Sequence, residues 1–336
     1  MNVALTIPSF AVHGGIRIIL EWANRLAENH SVTLRLLNPS FPRHWFPIDP
    51  RIRVTDNDFF IRNCDLLIIT SPHAAHYLDP SLSSLRTVIF LQMMEHLFRP
   101  GDKTWHAACE KLYRADRPMI LISNWNQAML HDDFGRLNST HYVGNGINFD
   151  HFPVDPASGW EVRPQKTVLI EGSWGCKNPT KDPACIAPLV ARRLKQAGYR
   201  IVGYGARSPV RYSGVFHKFH VCPDFATLNR IYSEATILLK ASRYDARALA
   251  PLEAMTKGVP TARAIIQGDD DLVDGENCLR CDYNEDALYR CAEKLLKDDA
   301  LRAQLSDNCR DYVQREASWT NWWPKIEQIL ADDRER

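Results

Sequence analysis

Two carboxylates stand eight residues apart in the segment 241–258, ASRYDARALAPLEAMTKG: Asp245 in a loop, and Glu253 within the short helix that follows. That spacing puts one carboxylate ahead of a helix N-terminus and the other on its first turns, with the amides of 248–250, Leu249 and Ala250 among them, in between. Such an arrangement can grip a polyhydroxylated ligand that carries phosphate. Carboxylates accept hydrogen bonds from hydroxyls, and the free N–H groups and dipole of a helix start favour an anion. An acidic residue on a helix is also commonly just solvated, and this helix has an apolar face in Leu252 and Met255, so the residues alone leave both readings open.

A second place for an anion is the turn 8–15, which ends in Gly14-Gly15 ahead of a helix. The two glycines let the backbone come close to a ligand, and the helix start again favours phosphate. A plain glycine turn accounts for the pair equally well. Cys278 and Cys281 have a metal-like spacing, but no second pair or histidine cluster stands near them to complete the four-ligand set of a structural zinc. No metal site is expected.

The elements that would hold these segments can be read from periodicity. Strands are expected at 3–7, 31–37, 65–70, 87–91 and 119–122, with helices at 15–29 and 124–134. The runs at 65–70 and 87–91 are apolar on both sides, as in parallel sheets covered on both faces. From 145 to 160 the periodicity stops and Gly, Asn, Asp and Pro take over, which is linker chemistry. Beyond it, strands are expected at 167–170, 200–204 and 236–240, and helices at 184–197, 226–234, 251–257, 284–297 and 299–314. Pro251 in a first turn and Gly258 just past a helix end show the usual asymmetry of helix termini. The pattern describes two Rossmann-like, doubly wound α/β domains, whose ligands bind at the carboxyl ends of strands.

Bulk properties narrow the function classes. A chain of 336 residues exceeds one hydrophobic core, in keeping with two domains. It is 45% hydrophobic and 24% charged, an ordinary globular balance, and its formal net charge of +1 provides no field for nucleic acid. No apolar run is long enough to span a bilayer, and MNVALTIPSF reads as a core strand rather than a secretory signal. Nine scattered cysteines, an odd number, fit a reduced cytoplasmic protein better than a disulfide framework.

The segment 241–260 resembles the C-terminal signature of the retaining glycosyltransferase family 4, of GT-B fold. That signature is an acid, seven residues, then Glu-Ala-Met and Gly-Val-Pro. Asp245 stands at the first acidic position, usually Glu, and Glu253-Ala254-Met255 with Gly258-Val259-Pro260 match the rest. Gly14-Gly15 resembles the family's N-terminal glycine loop. Ser123, Gly144-Asn145-Gly146-Ile147 and Phe152 resemble its inter-domain segment. Asp274-Gly275-Glu276-Asn277 resembles its D-G-x-N-G turn, with Cys278 where Gly is usual, and Trp319 with the helix to Leu330 resembles its final helix.

The resemblance implies an N-terminal domain over 1–150 on the acceptor side and a C-terminal domain over 151–315 on the donor side, facing each other across a cleft. A C-terminal helix over 316–336 would cross back to the first domain. It implies that the amides of Gly14 and Gly15 contact the donor's diphosphate or sugar, that Glu253 binds ribose hydroxyls and that Asp245 holds hydroxyls of the transferred sugar. The family's diphosphate-binding Lys falls in EGSWGCKNPTKD, on Lys181 or its competitor Lys177, while the usual Arg position is Ser173, leaving Arg207 or Arg243 as substitutes. Many members carry a His after the strand at 87–91. Here Gln92 stands there, followed by Glu95 and His96, and His73 and His76 in SPHAAHYL are the other candidates for a donor contact.

The implied activity moves a sugar from a nucleoside diphosphate sugar to a carbohydrate, lipid-linked or small-molecule acceptor with retention of configuration. Lys181, helix starts and amides would stabilise the leaving diphosphate in place of a metal. No cofactor, nucleic acid partner or transmembrane segment is expected, and peripheral association with a membrane stays compatible. An epimerase acting on nucleotide sugars and a non-catalytic sugar-binding relative remain as alternatives. A dehydrogenase is disfavoured because Gly203-Tyr204-Gly205 lacks the third glycine of the dinucleotide fingerprint.

Overall fold

The computed structural model describes residues 1–38, 45–82, 84–136, 139–156, 166–172 and 178–332. The chain divides into two compact units, Met1–Val143 with Lys325–Arg336, and Gly144–Pro324.

The first unit runs β1 (Asn2–Ile7), α1 (Gly14–Leu26), β2 (Ser31–Leu36), β3 (Arg53–Thr55), α2 (Phe59–Arg62), β4 (Leu66–Ile69), β5 (Thr87–Leu91), α3 (Lys103–Tyr113), β6 (Met119–Leu121), α4 (Asn124–Phe134) and β7 (Thr140–Tyr142). Its seven strands are all parallel in the order β3-β2-β1-β4-β5-β6-β7, so the winding reverses between β1 and β4. The central strands LLII and TVIFL are buried throughout, which is why they carry no polar alternation. Helix α1 buries Ile16, Ile19, Leu20 and Ala23 at helical spacing. Its Trp22 stacks on Phe90 of β5, ring centroids 4.0 Å apart, which joins helix to sheet through a large apolar contact.

The second unit runs β8 (Thr167–Glu171), α5 (Ile186–Gln196), β9 (Arg200–Gly205), β10 (Lys218–Val221), α6 (Phe225–Glu234), β11 (Ile237–Asp245), α7 (Leu249–Met255), β12 (Thr261–Gly268), β13 (Cys278–Cys281), α8 (Glu285–Lys297) and α9 (Asp299–Glu316). Helix α10 (Trp319–Asp332), with Pro324 inside it, begins in this unit and ends in the first. The six strands are parallel in the order β10-β9-β8-β11-β12-β13, reversing between β8 and β11. Both units are thus doubly wound, as the periodicity predicts.

Three local departures matter for the site. Strand β11 continues past residue 240 to Asp245, so this carboxylate ends a strand instead of sitting in a loop. Helix α7 begins at Leu249, two residues earlier than the pattern suggests, which makes Leu249 and Ala250 its first residues. Strand β12 escapes the sequence pattern because Arg263 interrupts it, yet Arg263 is 0% exposed.

Two glycine pairs serve packing. A Cβ on Gly203 would lie 2.6 Å from Phe216 and Phe219, and one on Gly172 would lie 2.8 Å from the Tyr204 carbonyl, so the Gly203-Tyr204-Gly205 run lets strands and aromatic rings close up. Gly144 and Gly146 lie against Trp322 and Trp319, both buried.

Candidate functional site

In an open parallel sheet the crevice for a ligand opens where the strand order reverses. In the second unit that place is the pair of turns after β8 and β11. The turn after β8 is fixed at its far end by Asp182, whose carboxylate accepts from the amides of Ile186 and Ala187, each at 2.9 Å, and from the Tyr283 hydroxyl at 2.6 Å. It is also stitched to β11: the amides of Arg243 and Tyr244 donate to the carbonyls of Lys181 (2.9 Å) and Thr180 (2.8 Å). Lys181 is thereby brought to the end of β11, where its Nζ lies 2.8 Å from Asp245 Oδ1.

Asp245 is buried and surrounded by donors. Its Oδ2 lies 3.2 Å from Ser242 Oγ, 3.3 Å from Arg263 Nη2 and 3.6 Å from Lys240 Nζ. Burial by itself would push this carboxyl up, but Lys181, Lys240 and Arg263 outweigh it and hold the group well below the usual carboxylate range. The two deeper cations have acidic partners of their own. Lys240 Nζ is 2.7 Å from Glu171 Oε2, and Arg263 Nη2 is 2.5 Å from Asp269 Oδ2. Burial works against the charged form of Lys240, yet Glu171 and Asp245 raise its pKa.

Glu253 is 3% exposed on α7. Its Oε2 accepts from the Tyr232 hydroxyl at 2.8 Å, and that hydroxyl lies 2.5 Å from the hydroxyl of Tyr204. Burial, together with the neighbouring Glu253 and Tyr204, pushes the Tyr232 phenol well above its ordinary value, so it stays a proton donor. Of the amides expected to face a phosphate, Ala248 donates to Asp269 Oδ1 at 2.8 Å, leaving Leu249 and Ala250 as the next amides in line.

In the first unit the expected residues gather at the carboxyl ends of β1, β4 and β5. Gly14 and Gly15 open α1, capped by His13 Nδ1, which accepts from the Ile16 amide at 3.4 Å. Gln92 donates to the Gly15 carbonyl at 3.0 Å. His73 follows β4, its Nδ1 3.0 Å from Ser71 Oγ and its ring 4.8 Å from that of Trp105. Burial, then the charge of Arg99, lowers the His73 pKa. Glu95 interacts with the same Ser71 hydroxyl, and burial pushes its carboxyl up to about 8 against the pull of Ser71 and Arg99. His76 lies against Tyr77 three residues beyond His73. His96, next to Glu95 in the chain, packs its ring against those of His106, Tyr113 and Phe134.

Ser173 and Lys177 lie outside the described residues. Arg207 is exposed, and Arg243 is placed over its neighbour Tyr244, 5.8 Å from the ring centroid. Sequence reasoning did not single out Lys240, Arg263 or the buried Arg247, which pairs with Asp271 and donates to the carbonyls of Asn145 (3.3 Å) and Glu316 (3.1 Å). The available signal was charge inside strand-like sequence, since a buried charge must be paired. No group of three or more His, Cys, Asp or Glu among the described residues is arranged to hold a metal ion. No helix among them is long and apolar enough to cross a membrane.

No family model matches the chain, and no curated protein matches it. Solved structures do. Sucrose-phosphate synthase from Thermosynechococcus elongatus superposes with a TM-score of 0.81 at 16% identity, covering 98% of this chain and 98% of that one. WaaG, a glycosyltransferase involved in lipopolysaccharide biosynthesis, gives 0.75 at 15% identity over 98% of this chain and 100% of its own. Anabaena Alr3699/HepE in complex with UDP-glucose gives 0.77 at 14% identity over 99% and 100%. With its two parallel-sheet α/β units, the chain has the GT-B fold of these proteins.

Proposed function

We propose that this protein is a retaining glycosyltransferase of the family 4 type, transferring a sugar from a nucleoside diphosphate sugar to a hydroxyl acceptor without a metal ion. The observation that carries the reading is the Lys181–Asp245 pair at the strand reversal of the second unit, with Glu253 on the helix that follows, in a fold shared with solved glycosyltransferases. Glu253 binds the ribose, Asp245 holds sugar hydroxyls, and Lys181 with the amides of Leu249 and Ala250 stabilises the leaving diphosphate. Gly14, Gly15 and His73 are the first unit's own candidates for a donor contact. The acceptor proton passes to a donor phosphate oxygen on the face from which the diphosphate departs, so no protein nucleophile is needed.

Uridine nucleotides are the first donors to try, since HepE was solved with UDP-glucose. The described cysteines are all free thiols, which supports a cytoplasmic setting; the acceptor is a carbohydrate, a lipid-linked or a small molecule. The test is nucleotide release from UDP-, GDP-, ADP- and dTDP-sugars with and without an acceptor panel. Release that depends on acceptor, survives EDTA and yields product of unchanged anomeric configuration by proton NMR is expected. EDTA-sensitive turnover, or inversion, would sink the corresponding part of the assignment.

The convergence of His73, Ser71 and Glu95 favours a second reading, a nucleotide-sugar epimerase, which requires acid/base groups that converge on the sugar. Acceptor-independent formation of an epimer or a glycal in the same assays would select it.

A further inference from the structure

The three cations around Asp245 differ sharply in access to solvent. The Lys181 side chain is 29% exposed, that of Lys240 5% and that of Arg263 0%. Their attachments differ as well. The main chain of Lys181 is pinned to β11, but its ammonium sits at the end of a four-carbon stem and touches Asp245 only through Oδ1. Lys240 and Arg263 project from neighbouring central strands, in register with each other, and both approach Oδ2. Each has a second carboxylate, Glu171 for Lys240 and Asp269 for Arg263.

Charge balance decides which cation can leave. A buried carboxylate stripped of its only cation is strongly disfavoured. If Lys181 moved away, Asp245 would keep Ser242, Arg263 and Lys240 on its other oxygen. Were either deep cation lost, Asp245 would depend on Lys181 and hold it more tightly. Lys240 and Arg263 therefore set how readily Lys181 is released.

We propose that Lys181 exchanges partners, from Asp245 to the diphosphate of an arriving nucleotide, and that Lys240 and Arg263 are positioning residues that permit the exchange by compensating Asp245 from below. The proposal rests on the transferase reading in one respect: the ligand is taken to be a nucleoside diphosphate. It adds to that reading a coupling between a buried ion network and diphosphate recognition that no contact with the ligand would reveal.

Calorimetric titration of UDP and UMP, GDP and GMP, and ADP and AMP identifies the pair that the wild type binds best, and the ratio of diphosphate to monophosphate affinity is the readout. Lys240→Met should lower that ratio by roughly ten- to a hundredfold, because Asp245 then competes harder for Lys181, while monophosphate affinity stays within about threefold. Asp245→Asn should raise the ratio by freeing Lys181, since Lys240 and Arg263 retain Glu171 and Asp269. If Lys240→Met does not fold, the pair Glu171→Gln/Lys240→Met removes both charges together and carries the same expectation. An unchanged ratio in the Lys240 variant, an equal loss of both affinities, or no gain in Asp245→Asn would each overturn the exchange. A wild type that binds none of the six nucleotides would overturn the transferase reading itself, and the exchange with it.

Discussion

Lys181 and Asp245, 64 residues apart in the chain, meet at 2.8 Å across the strand reversal of the second unit. The contact exists because the turn after β8 is stitched to β11 by two main-chain hydrogen bonds, one of them to the carbonyl of Lys181 itself. A lysine that the family resemblance assigns to phosphate thus lies beside a carboxylate that the same resemblance assigns to sugar.

Lys181→Ala should lower kcat by a factor on the order of 10²–10³ and raise donor KM less, because charge on the leaving diphosphate grows as the glycosidic bond breaks. The fold should lose little, under about 1 kcal/mol in urea denaturation, since Lys181 is partly solvated and Asp245 keeps its deeper partners. Steady-state kinetics with an unchanged kcat would remove Lys181 from the transition state and turn attention to Arg207 and Arg243.

Glu253→Gln should weaken nucleotide binding by about 1.5–3 kcal/mol, the worth of a hydrogen bond to a charged group. A carboxylate can accept from Tyr232 with one oxygen and from ribose hydroxyls besides, whereas an amide brings a donor to a place built for an acceptor. Unaltered affinity by calorimetry in a folded variant would show that Glu253 serves only the Tyr232–Tyr204 chain.

Glu95 predicts a pH dependence of stability. Its carboxyl is raised to about 8 in the folded chain, so between the ordinary glutamate range near pH 4.5 and pH 8 the unfolded state has released a proton that the folded state keeps. Stability from this group is complete below that range and declines as pH rises toward 8. The loss should be on the order of 2–3 kcal/mol between pH 5 and pH 8. Glu95→Gln cannot ionise and should remove this part of the slope. Denaturation midpoints with the same slope in both proteins would place the Glu95 carboxyl in water.

Elements with one clear pattern were legible from sequence: Thr87–Leu91 and Asn124–Phe134 lie where their residues predict. The two strand misses at the candidate site share one physical cause. Strand β11 was expected to stop near Lys240 and β12 was not seen, because Lys240 and Arg263 break the apolar runs expected of central strands. What permits them is pairing with Glu171, Asp245 and Asp269, carboxylates brought close by the sheet rather than by sequence proximity. The same limit applies to the site. Spacing alone marks Asp245 and Glu253 as neighbours, while Tyr232 beside Glu253 and Arg247 beside Asp271 emerge only from packing.

The glycines beside the tryptophans predict how the segment after Val143 is held. A Cβ on Gly146 would lie well inside contact distance of the Trp319 ring. The ring has little room to retreat: Trp319 is 2% exposed and meets Trp323 edge-on at 6.3 Å between centroids. The main chain is also held, since the Ile147 amide donates to the Ala317 carbonyl at 2.6 Å. Gly146→Ala should therefore destabilise the protein by about 1–3 kcal/mol, the usual cost of overpacking a filled core. Gly214 is the matching control, because a Cβ there meets nothing within 4 Å. Gly214→Ala should be neutral or stabilising by up to about 1 kcal/mol through the unfolded chain's lost freedom. Urea midpoints of the two variants measured side by side decide the matter, and equal midpoints would mean that Trp319 yields to the added methyl group and that Gly146 is not there to admit the ring.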